Sequence, residues 1–195
     1  MQSLEPAQGR EFLTKVCDYL VSLPFDLKIL QEAVANTELD RATREVAAAV
    51  LVNALTPQEG PSPERYLDDL FLLRMALAKV GTSTEPAHQE FRTRFDDVFS
   101  ALTHDLELFE RALGPALWAW LQGRLGSLSR MALKGKRPTQ YVDDEDSWDT
   151  LYEDGLDFQT HYDVTEERVQ NRLRRPEQVM EYLQRRCAED SKKKS

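Results

Sequence analysis

Apolar residues recur at spacings of three and four along most of this chain, and nowhere do they alternate with period two long enough for a strand. The first stripe, Phe12, Leu13, Val16, Leu20 and Leu23, predicts a helix from about Gln8 to Ser22 that Pro24 stops. A second helix begins near Phe25, carries Leu27, Ile29, Leu30 and Val34, and ends at Asn36-Thr37. Proline restricts the residue before it, so Leu23-Pro24-Phe25-Asp26 is expected to form a sharp corner. A third helix, about Asp40 to Leu55, is rich in Ala and Val. Small residues let a neighbouring helix approach closely, which predicts that this is the central, most buried element. Thr56 to Pro63 reads as a loop, with Ser62 as N-cap and Pro63 at the first position of a fourth helix that Gly81 terminates.

The stripe Phe91, Phe95, Val98, Phe99, Leu102, Leu106 and Phe109 predicts one long fifth helix, about Pro86 to Leu113, broken by Gly114-Pro115. A sixth runs from about Ala116 to Leu133. Within it Leu117, Trp120, Leu121 and Leu125 make the more regular inward row, which leaves Trp118 as a candidate contact residue. The expected fold is all-α: a bundle of about six helices over residues 1–133, then a different C-terminal region.

That change of composition follows Leu133. Residues 134–162 hold the short basic break Lys134-Gly135-Lys136-Arg137-Pro138 and then a stretch from Tyr141 to Phe158 without one lysine or arginine. Such charge density opposes collapse, yet Tyr141, Trp148, Leu151, Tyr152, Leu156 and Phe158 are too many apolar groups for an inert linker. Aromatic and leucine anchors in an acidic frame suit docking on a basic groove; the other reading is a strap that packs back on the chain's own bundle. Residues 163–195 predict a basic terminal helix from about Thr165 to Ala188, interrupted at Pro176, with a frayed end after it. Its arginines, Arg174 and Arg175 among them, offer an internal partner for the strap.

Charge and cysteine content narrow the function classes. The formal net charge is −9. Nucleic acid and anionic lipid both need a basic footprint, so no nucleic-acid partner is expected. Cys17 and Cys187 form no CxxC pair and predict neither zinc nor a disulfide framework. The N-terminal residues lack the apolar core of a signal peptide, and the apolar run from Val46 to Val52 is too short for a span of roughly 20 residues. A cytoplasmic location and no membrane association are the resulting expectations.

Two adjoining segments resemble a known family. Arg44-Glu45-Val46-Ala47-Ala48-Ala49-Val50-Leu51-Val52-Asn53-Ala54-Leu55-Thr56-Pro57, followed by Glu64-Arg65-Tyr66-Leu67-Asp68-Asp69-Leu70, is similar to the YkvA-like helical family, also called the DUF1232 domain. The resemblance covers about residues 42–77. It implies a helical fold and carries no established catalytic chemistry. The apolar corner usual in the family is replaced here by Thr56-Pro57-Gln58-Glu59-Gly60-Pro61, which weakens the membrane association that some members suggest.

Asp68 and Asp69 are adjacent, about 100° apart on a helix, and are poorly placed to share one metal or substrate. They are expected to be structural: helix-start carboxylates, or a buried lock in which one pairs with Arg44 or Arg74. Glu85-Pro86-Ala87-His88 has the Glu-x-x-His spacing of di-iron bundles, but a second such motif is missing. No catalytic residue, metal or cofactor is therefore assigned. The expected function is a non-catalytic interaction or regulatory protein that binds a protein partner through Trp118, Tyr141, Trp148, Leu151, Tyr152, Phe158, Arg174 and Arg175. The alternatives are a helical metal-dependent enzyme or metal-binding protein using Glu85, His88 and His104, and a peripheral membrane protein by family analogy.

Overall fold

The first helix does not stop at its proline. In the computed structural model, which describes residues 5–57 and 62–193 (the side chain of Lys193 excepted), α1 runs unbroken over Pro6–Ala35. The expected corner at Leu23–Asp26 is absent. Val16, Leu20, Leu23, Leu27, Leu30 and Val34 keep helical phase across Pro24, and every one is buried. An interior proline costs about 3 kcal/mol, and full burial of one such side chain contributes about 1.5–3 kcal/mol. A continuous stripe of six therefore outweighs the proline.

Asp40 caps α2 (Arg41–Leu55) by accepting from the Thr43 N–H at 3.0 Å. Gln58 to Pro61, and with them much of the expected loop, lie outside the described residues. Pro63–Tyr66 form a 3-10 turn that leads into α3 (Leu67–Gly81); Ser62 makes no side-chain cap. The long fifth helix is divided. α4 (Pro86–Arg94) ends at Phe95, and α5 (Asp96–Ser127) begins there. Arg92 and Arg94 close α4 while Asp96 and Asp97 open α5, each sign suiting the dipole of its helix end. Arg92 also donates to the carbonyls of Gly81 and Ser83, beyond the end of α3. The expected break at Gly114-Pro115 is present as a kink inside α5, with Gly114 at φ +73°, a conformation glycine adopts freely.

The C-terminal region is helical as well. It forms α6 (Pro138–Asp143), α7 (Glu145–His161), α8 (Glu166–Arg172) and α9 (Pro176–Lys193), with a break ahead of Pro176. Helix continues through Ser191–Lys193, expected to be frayed; residues 194 and 195 lie outside the described residues. The described residues contain no strand and the fold is all-α; up to Leu133 they hold five α-helices where about six were expected, and after it four where one was expected.

The central element is α3 rather than α2. Every residue from Leu67 to Leu77 is buried, whereas α2 is buried only from Ala47 to Ala54. Around α3, the rings of Phe12, Phe71 and Phe109 pack with centroids 5.0–6.4 Å apart, joining α1, α3 and α5. Aromatic pairs at these separations contribute about 0.5–1.5 kcal/mol beyond their burial.

Candidate interaction surface

The acidic segment is attached by a two-residue turn. Leu133 and Lys136 exchange backbone hydrogen bonds of 3.0 and 2.9 Å across Lys134 (φ +50°) and Gly135 (φ +79°), reversing the chain after α5. Positive φ at both central positions is the geometry of a tight hairpin turn, which a glycine favours. The Tyr141 hydroxyl then donates to the Leu133 carbonyl at 2.7 Å, and its ring is 1% exposed. Asp144 caps α7, accepting from the Ser147 N–H at 3.0 Å and from the Ser147 hydroxyl. These bonds favour the ionised form and hold the Asp144 carboxyl below the usual carboxylate range.

α7 lies against α1 and α2. Its inward row is Ser147, Leu151 and Gly155, three residues one turn apart and all buried. Gly155 lies at a close approach: a Cβ there would displace the buried Gln31 amide, which donates to the Tyr152 carbonyl at 3.2 Å. Farther along, Phe158 and Tyr162 pack on Tyr66 with centroids 5.8 and 5.0 Å away. The Tyr162 hydroxyl donates to the Leu20 carbonyl of α1. Gln31 meets the middle of α7 and Leu20 meets the residue after its end, so the two helices run antiparallel.

The outer side of α7 is apolar in part and unneutralised. Among the described residues the exposed large apolar side chains are Val21 (40%), Phe25 (56%), Tyr152 (40%) and Leu156 (44%). They form two pairs, each four residues apart, on two helices that pack together. Scattered apolar exposure is ordinary; concentration on one pair of neighbouring helices is informative. Glu145, Asp146, Asp149 and Glu153 are also exposed on α7 and enter no ion pair among the described residues. By contrast Asp143 pairs with Arg41 at 2.7 Å, Asp154 with Lys134 at 2.5 Å and Asp157 with His161 at 3.1 Å.

The residues expected to bind a partner divide sharply. Tyr152 is exposed, and Trp148 and Phe158 are half-buried, the Trp148 ring 5.9 Å from that of Tyr152. Tyr141 and Leu151 are core residues. Trp118 is buried too, while Trp120 is half-buried and donates to Asp190 of α9 at 3.3 Å, so the two tryptophans exchange the places expected of them. The inward row is Leu117, Trp118, Leu121 and Leu125; Trp118 and Trp120 flank the leucine stripe on opposite sides, and the side of Trp120 faces α9. Arg174 and Arg175 are exposed at the junction of α8 and α9. Arg174 borders a groove formed with Arg10, Leu13 and Cys17, near the opposite end of α1 from Gln31. They are not brought to α7.

Nor do the other arginines of the terminal region neutralise the acidic segment. Arg168 pairs with Asp163, Arg172 with Glu64 at 3.5 Å, and Arg186 with Asp68 at 3.4 Å. Asp68 and Asp69 are both buried, in keeping with a structural lock, but their partners differ from those expected. Asp68 meets Arg124 at 3.1 Å as well as Arg186, and Asp69 accepts from Asn53 at 2.5 Å. Arg74 instead pairs with buried Asp26 and lies over the Tyr19 ring at 3.5 Å. Arg44 donates to the carbonyls of Val34 and Val142, joining the ends of α1 and α6. Burial pushes the Asp26 carboxyl above its ordinary range against the pull of Arg74.

The residues of the metal-binding alternative, Glu85, His88 and His104, do not converge. His88 is fully buried beside Asp40 (3.0 Å) and Glu85 (3.7 Å), whereas His104 pairs with Glu11 at 3.0 Å. Among the described residues no group of three histidines, cysteines or carboxylates is arranged to hold a metal ion. Cys17 and Cys187 are free thiols. No described helix is long and apolar enough to cross a membrane.

Neither Val21 nor Phe25 is flagged by periodicity. They fall between the core positions Leu20, Leu23 and Leu27, and a helix ended at Pro24 gives no frame in which both are seen to point outward. No family model, curated protein or solved structure matches this chain.

Proposed function

We propose that this chain is a non-catalytic interaction or regulatory protein, and that its contact face is the outer side of α7 together with the adjoining flank of α1. The observation that carries this reading is the concentration of Val21, Phe25, Tyr152 and Leu156 on those two helices. Residues 1–133 act as a helical scaffold in this reading, with 134–162 as the recognition segment and 163–195 as a terminal brace. The YkvA-like relationship belongs to the scaffold: the Asn53–Asp69 hydrogen bond joins the two segments that carry the resemblance. A cytoplasmic protein partner fits a chain of net charge −9 better than a nucleic acid does.

The test is co-purification from native cells with the full chain, its Tyr152→Ser/Leu156→Ser variant and an Arg174→Ser/Arg175→Ser variant. A partner retained by the wild type and the arginine variant, and lost from the first variant with its helix content unchanged, is the expected result. Equal retention by all three overturns the placement on α7.

A further inference from the structure

We infer that the α1/α7 face receives a cationic amphipathic helix, whose aliphatic or aromatic side chains at helical spacing meet Tyr152 and Leu156 while its lysines or arginines meet the α7 carboxylates. This rests on the interaction reading above and specifies its partner. Three observations converge on it.

The first is charge complementarity. Glu145, Asp146, Asp149 and Glu153 stand exposed on one helix without a cation partner among the described residues. Lys134 is already engaged by Asp154 and Lys136 by Asp144, which leaves Lys28, exposed on α1 one turn from Phe25, as a single lysine beside four carboxylates. Four like charges spread over three turns of one helix repel one another, and a cationic partner removes that repulsion. The same charges disfavour an anionic bilayer or a nucleic acid at this face.

The second is the backbone. An extended peptide gains affinity by adding to a sheet edge, and the described residues contain no strand. The main chains of α1 and α7 are occupied by their own helical bonds, and the carbonyl freed by Pro24 already accepts from Tyr162. Recognition here is left to side chains, the mode in which a helix lies in a groove between helices.

The third is shape. Val21 and Phe25 lie one turn apart on α1, Tyr152 and Leu156 one turn apart on α7, and the two helices are antiparallel neighbours. A ligand helix with anchors at i, i+3, i+4 and i+7 suits one-turn pairs of this kind on neighbouring helices. The small size of the apolar exposure implies that the charges supply much of the specificity and of the association rate.

The experiment uses the full chain and two labelled peptides of equal length, one with leucine at i, i+3, i+4 and i+7 and lysine elsewhere, the other with glutamate replacing lysine. Fluorescence anisotropy is expected to show the Leu/Lys peptide binding at least about tenfold more tightly than the Leu/Glu peptide, with affinity falling as salt is raised. Leu156→Ser and Asp149→Lys/Glu153→Lys should each weaken the Leu/Lys peptide by about tenfold or more, whereas Arg174→Ser/Arg175→Ser should not. Circular dichroism confirms that each variant is folded. Unchanged affinity in either α7 variant overturns the inference, as does equal binding of the two peptides. A homodimer in light scattering that Leu156→Ser dissociates also overturns it, because a second copy then occupies the face. If neither peptide binds while native co-purification still depends on Tyr152 and Leu156, the cationic-helix assignment falls and the interaction reading stands. Loss of that dependence removes the interaction reading itself.

Discussion

The Tyr162 hydroxyl donates to the Leu20 carbonyl, the one that Pro24 leaves without its helical donor. In a regular α-helix residue i donates to the carbonyl of residue i−4, and proline has no N–H to give. Leu20 is fully buried, so water cannot readily fill the vacancy. The residue just beyond the acidic helix thus satisfies the defect that lets α1 pass through its proline. Docking of the C-terminal region and continuity of α1 are one structural event.

Tyr162→Phe leaves that carbonyl unpaired and should cost about 1–3 kcal/mol in urea denaturation. Pro24→Ala restores an N–H to the helix. In that background Tyr162→Phe should be nearly neutral, giving a coupling energy of about 1 kcal/mol or more in the double-mutant cycle. Additive effects of the two substitutions would separate the hydroxyl from the proline defect.

Asp68 depends on two arginines that are unequal in burial. The Arg124 side chain is 16% exposed and that of Arg186 is 31% exposed. Arg124 is the closer and more buried partner and also holds Asp190 at 3.0 Å, so Arg124→Met, which leaves Asp68 only Arg186 at 3.4 Å, should destabilise by about 3 kcal/mol. Arg186→Met, which leaves Arg124 in place, should cost nearer to 1 kcal/mol. Asp68→Asn combined with Arg124→Met should recover part of the loss. Thermal denaturation of the three variants measures the order, and equal costs for the two arginines would contradict it.

Alkaline pH should unfold the protein. Burial pushes the Tyr182 phenol up to about 12, with Asp68 adding to the shift, and burial raises Tyr19 and Tyr162 further. The unfolded phenol ionises near 10, so the unfolded state gains stability first as pH rises. The contribution of Tyr182 is fully present below about pH 10 and is lost as pH rises through about 12. Phenolate absorbance at the buried tyrosines should therefore rise together with loss of the helical circular-dichroism signal. Full phenolate titration with the helix signal intact would contradict this.

Gly155 separates two opposing effects. Gly155→Ala gains about 1 kcal/mol of helix propensity, but the new methyl displaces the Gln31 amide from the Tyr152 carbonyl at about the same cost. A near-neutral change is expected. Gly155→Leu overfills the seam and should cost about 1–3 kcal/mol, with faster amide exchange confined first to α7. Exchange that rises equally in α3 would show that α7 does not detach separately.

Helical class was legible because period and punctuation agree over most of the chain. Asp40 before an Ala-rich run marks a helix start, and Gly114-Pro115 marks a break, from local chemistry alone. The division at Phe95 is missed because the apolar stripe runs through it; the change of sign from Arg92 and Arg94 to Asp96 and Asp97 is the local signal that marks it. Other features are non-local. Pro24 reads as a stop because the donor that compensates it lies 138 positions downstream of it, at Tyr162. Trp118 and Trp120 exchange roles because they flank the same leucine stripe on opposite sides, and which flank is buried depends on the helices packed there, α9 lying at Trp120. The acidic segment reads as a possible strap because its charges are plain in the sequence, whereas the surface that buries Tyr141 and Leu151 comes from α1, α2 and the turn after α5.

By itself the sequence determined that the chain is helical, where α1, α2, α4 and α8 begin to within about two residues, and that residues after Leu133 differ in composition. These properties depend on spacing and on interactions within a few residues. Only the tertiary structure decided which carboxylates are paired, which aromatics are core, and which large apolar side chains among the described residues remain exposed. Burial and ion pairing are properties of neighbours in space, and here those neighbours are often more than 100 positions apart, as Gln31 is from Tyr152.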